Sequence, residues 1–107
     1  MMNNRISYKE FKSYPDFENQ EEAAKWLKEK YGEDFFFLSK SMDDGKPLYH
    51  YNYVLDRETY DRMQEWKERK KSVLFPPWAP ETKGFTDSFQ EILIWDDGKV
   101  VVIGPSN

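Results

Sequence analysis

The chain has 107 residues, no cysteine and a formal net charge of −4. The absence of thiols excludes disulfide bonds, thiolate metal sites and cysteine nucleophiles, and the acidic balance argues against a groove that follows a phosphate backbone. Four Trp, seven Tyr and eight Phe offset a low apolar content of 38%, so the composition predicts one folded domain spanning residues 1–107 rather than a disordered chain.

The first predicted element is a short helix that begins after Ser7. Ser7 followed by Glu10 is a capping box, and Pro15 ends the helix early because the residue before a proline avoids the α region. A strand over residues 5–9 is the alternative interpretation of this segment.

A second helix is predicted over residues 20–31, with Asn19 as its N-cap and Gly32 as its C-terminal stop. Apolar residues recur along one face of this helix at a spacing of three or four. They are Ala23, Trp26, Leu27 and Tyr31.

A hairpin follows, with an aromatic-rich strand over residues 34–41 and a second strand over residues 48–55. Between them, Asp43-Asp44-Gly45-Lys46 is typical of a type I′ turn, which needs positive φ angles. The second strand alternates. One face carries Tyr49, Tyr51, Tyr53 and Leu55, and the other carries Leu48, His50, Asn52 and Val54.

A third helix is predicted after Asp56, which is placed to cap it. A proline-rich loop over residues 73–87 comes next, and a second hairpin follows with strands at 88–95 and 100–103. Its turn repeats the tetrapeptide Asp-Asp-Gly-Lys at residues 96–99. Asp-Gly is a common hairpin signal, so independent use of the same turn is favoured over duplication.

These elements predict an α+β fold: helices packed on one face of an approximately four-stranded antiparallel sheet made of two hairpins. The order of the strands cannot be read from one sequence. No apolar run approaches the roughly 20 residues that span a bilayer, so no membrane association is expected. A domain without disulfides favours a cytoplasmic location.

His50, the sole histidine, is the first candidate for chemistry. A metal site normally needs several His or Cys ligands, and a catalytic histidine needs a positioned nucleophile. No motif supplies either, so His50 is interpreted as an ordinary strand residue. The sequence predicts no catalytic residue, no metal site and no cofactor.

Phe75, Pro77 and Trp78 form the most unusual stretch, in a stiff loop rich in proline. Two large aromatic residues at this position are candidate anchors for a partner protein, because Trp is enriched at binding hot spots. The alternative is that both rings fold back and cover the edge of the sheet.

A stripe of tyrosines, Tyr49, Tyr51 and Tyr53, is the second candidate binding surface. Aromatic side chains on adjacent strands stack bases in some RNA-binding sheets. Such platforms are surrounded by basic residues, whereas residues 32–55 are net acidic. A half-buried face packed against helices is therefore the favoured interpretation.

The sequence as a whole favours a small non-enzymatic protein-interaction domain whose partner is another protein. One alternative is an acidic mimic of nucleic acid or an RNA-binding sheet, although the charge balance argues against nucleic acid. The other alternative is a small enzyme that uses His50. Oligomeric state and biological process are not predicted.

Overall fold

A computed structural model describes residues 4–71, 80–82 and 84–104 of the chain. Its α-helices are α1 (Tyr8–Lys12), α2 (Gln20–Tyr31) and α3 (Arg57–Lys70). Its strands are β1 (Phe35–Asp43), β2 (Lys46–Val54), β3 (Phe89–Trp95) and β4 (Val100–Ile103). The four strands form one antiparallel sheet in the order β1-β2-β3-β4. The predicted α+β architecture with a four-stranded antiparallel sheet is confirmed.

Side-chain caps start the helices where the sequence predicts them. The Ser7 hydroxyl accepts a hydrogen bond from Glu10 N at 3.1 Å, and Asn19 Oδ1 accepts one from Glu22 N at 2.8 Å. Asp56 caps α3 by accepting from the backbone N–H of Thr59. Each cap satisfies one of the backbone donors that a helix leaves unpaired in its first turn.

The two Asp-Asp-Gly-Lys segments form different turns. At the first, Asp44 and Gly45 both have positive φ, at 53° and 81°, as a two-residue type I′ loop requires. At the second, Gly98 has a positive φ of 92°, and Trp95 pairs with Lys99 across a three-residue loop. Three-residue loops of this kind place a glycine at the left-handed position.

Alternate strand residues of the sheet contact different helices. Phe35, Tyr51, Tyr53, Ile92 and Ile94 are buried in one cluster with Ala23 and Leu27 of α2; we call this side of the sheet the α2 face. The residues between them, including Phe36, Val54 and Phe89, pack with Tyr60, Met63 and Trp66 of α3. α3 therefore reaches one end of the opposite face, because it packs on strand residues that alternate with those under α2. The helices are divided between the two sides of the sheet, and the predicted packing of the helices on one face is not confirmed.

A buried glutamine fastens the amino-terminal segment to the α2 face. Gln90 is 3% exposed. Its side-chain oxygen accepts from Ile6 N at 2.8 Å, and its side-chain nitrogen donates to Ile6 O at 3.1 Å. The amide thus satisfies both backbone groups of Ile6, as a neighbouring strand would.

Candidate functional site

The residues predicted in the proline-rich loop, Phe75, Pro77 and Trp78, lie outside the described residues. Their part in binding a partner stays a prediction.

Two of the three predicted tyrosines lie in the core. Tyr51 and Tyr53 are each 5% exposed, because they project from the α2 face into the cluster under α2. Gln20 donates a hydrogen bond to the Tyr51 hydroxyl. This burial takes Tyr51 and Tyr53 out of the predicted partner-binding set and removes the stacking platform, which needs open rings. Tyr49 is half-buried, and its part in binding a partner stays a prediction.

A hydrogen-bonded group of phenols joins α1 to α2 at the edge of this core. The Tyr14 and Tyr31 hydroxyls are 2.6 Å apart, and Tyr31 donates to the Glu10 carboxylate. Burial raises the pKa of Tyr14 to about 12. Burial and the hydrogen bonds to Glu10 and Tyr14 raise the pKa of Tyr31 well above its ordinary value. Both phenols are therefore neutral donors at physiological pH, and the group is structural.

His50 lies on the other face of the sheet, within a chain of hydrogen-bonding side chains. Its Nε2 is 2.7 Å from Ser41 Oγ on β1, and its Nδ1 is 3.3 Å from Glu91 Oε1 on β3. The His50 side chain is 24% exposed and that of Glu91 is 40% exposed. Solvent and small molecules can therefore reach the group.

The register of the sheet brings these three residues together. His50 is paired with Ser39 on one side and Leu93 on the other, so Ser41 and Glu91 are its diagonal neighbours two residues away. Diagonal neighbours on one face of a sheet lie within reach of long side chains. Ser41 and Glu91 are functional candidates that the sequence analysis missed, because they can be found only once the strand order and register are known.

The chemistry of the group assigns the protons. An ionised Glu91 carboxylate can only accept hydrogen bonds, so His50 Nδ1–H donates to it. In a neutral imidazole that donates from Nδ1, Nε2 is the nitrogen with a free lone pair and can accept from the Ser41 hydroxyl. The imidazole thus lies between a hydroxyl and a carboxylate. This order of contacts can lower the free-energy cost of removing the hydroxyl proton.

An apolar row crosses β3 and β4 beside this group, on the same face. Leu93 is paired with Val101, and Glu91 with Ile103. Trp95 lies at the far end of the row, where its indole N–H donates to Asp43 at 3.2 Å. Ile103 is 47% exposed, and the other members are partly buried. We call Leu93, Trp95, Val101 and Ile103 the β3–β4 apolar row.

A cleft of about 450 Å³ lies on a different side of the molecule, where the segment between α1 and α2 meets the β3–β4 turn. It has aromatic walls from Phe11, Tyr14 and Phe17, and charged side chains of both signs at its rim. Because charges of both signs lie at its rim, the cleft does not favour one class of ligand.

The basic end of α3 borders a smaller cleft of about 230 Å³. Arg62, Glu65 and Arg69 line it beside Trp66 and Phe85. The glutamate between the two arginines offsets their charge, so the cleft does not form a strong anion site.

Within residues 4–71, 80–82 and 84–104, no group of three or more His, Asp or Glu side chains is placed to hold a metal ion. The helices in the same part of the chain include none that is long and apolar enough to cross a membrane.

Comparison with known proteins found no similarity, since no family model, no curated protein and no solved structure matches the chain.

Proposed function

We propose that this chain is a protein-interaction domain that binds an extended segment of a partner protein along β4 and over the β3–β4 apolar row. The observation that supports this function is that the β3–β4 apolar row lies beside the outer edge of β4. In the described part of the chain, β4 is hydrogen-bonded to β3 alone, so its other edge has unpaired backbone groups. An added strand would satisfy them.

The composition of β4 suits strand addition better than that of β1, the other edge. β4 consists of Val100, Val101, Val102 and Ile103 and has a regular register with β3. Proteins usually protect free edges with charges, prolines or bulges. The four residues of β4 include no charge, proline or bulge, as expected for an edge that a partner strand covers.

β1 carries two of those protective features. Its register with β2 shifts between Phe37 and Ser39, and Lys40 follows directly. The bulge interrupts the regular spacing of backbone groups that a partner strand needs. Phe37 and Leu38 are exposed on β1, but the irregular backbone beside them disfavours continuous pairing.

Binding of a polynucleotide is the less favourable alternative. The net charge of −4 opposes contact with phosphates, and burial of Tyr51 and Tyr53 leaves no open tyrosine stripe for stacking bases.

Affinity capture from a lysate of the source organism tests the proposal, with wild type and Ile103→Lys as baits. The substitution places a charge within the apolar row at an exposed position, so the fold should persist. Met42→Lys is the matched control, because Met42 is 63% exposed and lies on β1. Wild type and Met42→Lys should retain one stoichiometric protein, and Ile103→Lys should lose it.

The captured protein is then purified and titrated against each variant by calorimetry. Burial of an isoleucine side chain contributes about 1.5–3 kcal/mol, so Ile103→Lys should raise the Kd about tenfold or more. Equal affinity of all three baits, or selective loss by Met42→Lys, would contradict binding at β4. A Phe75→Ala/Trp78→Ala bait shows whether the predicted loop contributes as well.

A further inference from the structure

We propose that Ser41, His50 and Glu91 form a hydrolytic site for carboxylic esters with a small apolar acyl group, in which Ser41 is the nucleophile. This activity goes beyond protein binding and does not depend on it. The inference stands on the geometry of three side chains from three adjacent strands, which meet in the order nucleophile, base and orienting carboxylate.

The contacts match the requirements of a general base. His50 Nε2 is 2.7 Å from Ser41 Oγ, within the distance at which an imidazole removes a hydroxyl proton. The longer contact of 3.3 Å between His50 Nδ1 and Glu91 Oε1 keeps the ring oriented. Glu91 also stabilises the imidazolium that forms when the proton is transferred. Glu91 is thus a positioning residue, whereas Ser41 and His50 touch the reacting atoms.

The rigidity of the sheet supports this assignment. All three residues lie within paired strands, Ser41 in β1 beyond its bulge, His50 in β2 and Glu91 in β3, so the backbone holds their mutual positions without a loop movement. Sites built on strands keep tighter geometry than sites on loops.

The surroundings indicate the class of acyl group. Leu48 is paired with Ser41, and Trp95 is paired with Leu48, so apolar side chains of the same face begin directly beside the nucleophile. An apolar acyl group that rests on them leaves its ester carbonyl at Ser41.

The reaction balances with no cofactor. Ser41 Oγ forms a bond to the carbonyl carbon, and its proton passes to His50 Nε2. The bond from that carbon to the alcohol oxygen breaks, and the alcohol leaves with the proton. Water, activated by the same nitrogen, then attacks the acyl-serine ester, releases the carboxylic acid and restores the Ser41 hydroxyl.

Labelling with an alkyl fluorophosphonate tests the nucleophile, because Ser41 Oγ would displace fluoride and form a stable bond to phosphorus. The adduct is counted by intact mass and located by peptide mapping. One adduct per chain at Ser41 is expected in folded protein and none in urea. Ser39→Ala is the matched control, since Ser39 is paired with His50 but its hydroxyl is not part of the hydrogen-bonded chain. It should label as wild type does.

Loss of the base should slow labelling about 100-fold, the lower end of the effect of general-base catalysis. His50→Ala removes the base, and imidazole added to the solution should restore part of the rate, which a merely structural histidine would not allow. Glu91→Gln should slow labelling while Glu91→Asp restores part of it. Each variant is first checked for its thermal midpoint.

The second readout is hydrolysis of p-nitrophenyl acetate. Wild type should release nitrophenolate, and Ser41→Ala should abolish this release. Absence of labelling in wild type, an adduct elsewhere than Ser41, or equal labelling of His50→Ala would each overturn the proposal. Labelling needs no partner protein, so its failure leaves the binding function standing, and failure of capture leaves the hydrolytic site standing.

Discussion

Gly45 and Gly98 are both turn residues, but their surroundings differ in how closely they are packed. Both adopt a positive φ in an Asp-Gly turn, which costs a residue with a side chain about 1–2 kcal/mol. A Cβ on Gly45 would meet open space, whereas one on Gly98 would lie only 2.8 Å from the carbonyl carbon of Phe17. The second turn is thus packed beneath the chain that leads into α2.

Gly98→Ala should therefore lower the free energy of unfolding more than Gly45→Ala does. Both substitutions share the backbone cost, and Gly98→Ala adds about 1–3 kcal/mol for displacing Phe17. Urea denaturation of the two variants beside wild type measures the difference. Equal losses of stability would show that the contact with Phe17 is not maintained in solution.

At the scale of elements, α2 is held at its amino terminus as well as along its apolar stripe. Asn19 caps it, and Gln20 N donates to Asp96 O in the β3–β4 turn at 3.2 Å. The first turn of α2 is consequently tied to the second hairpin by a backbone hydrogen bond. Phe17 and Asp97, which lie close to this junction in the sequence, line the 450 Å³ cleft.

Asn19→Ala should reduce the free energy of unfolding by about 1 kcal/mol, the usual cost of losing an N-cap. Asn19→Ser should restore most of it because the hydroxyl also accepts from the first turn. Lys25→Ala, at an exposed position in the middle of α2, is the control and should stay within about 0.5 kcal/mol of wild type. Thermal or urea unfolding distinguishes these outcomes, and an unchanged Asn19→Ala would argue that the cap contributes nothing.

At the scale of the whole molecule, the phenol group at Tyr14, Tyr31 and Glu10 connects the amino-terminal segment to α2 and makes stability depend on pH. An unfolded chain releases a tyrosine proton near pH 10, but burial raises the pKa of Tyr14 to about 12 in the fold. The unfolded state thus loses protons first as the pH rises. The stabilisation is fully present below pH 10 and disappears between about pH 10 and pH 12.

The urea midpoint of wild type should accordingly fall as the pH is raised from 9 to 11. The double variant Tyr14→Phe/Tyr31→Phe should show a shallower fall, because it has lost the two buried phenols. Tyr8→Phe is the control, since Tyr8 is 74% exposed and should follow the wild-type slope. Parallel slopes for all three proteins would contradict a role for the phenol group in alkaline unfolding.

Local structure was largely predictable from short stretches of sequence. The caps at Ser7, Asn19 and Asp56 and the turn at Asp44-Gly45 depend on hydrogen bonds and φ angles within a few residues, so neighbouring side chains suffice to predict them. The site was not predictable in this way. Ser41 and Glu91 are 9 and 41 residues from His50, and no motif links residues that meet only across strands.

The amino-acid sequence by itself determined the helices, the two hairpins and the alternation of β2, because capping, turn chemistry and periodicity act over short distances. Only the tertiary structure decided which surfaces those elements share. The strand order made β4 an edge, the register placed Ser41 and Glu91 beside His50, and the packing of α2 buried Tyr51 and Tyr53. These outcomes depend on contacts between residues far apart in the chain, and no local interaction specifies them.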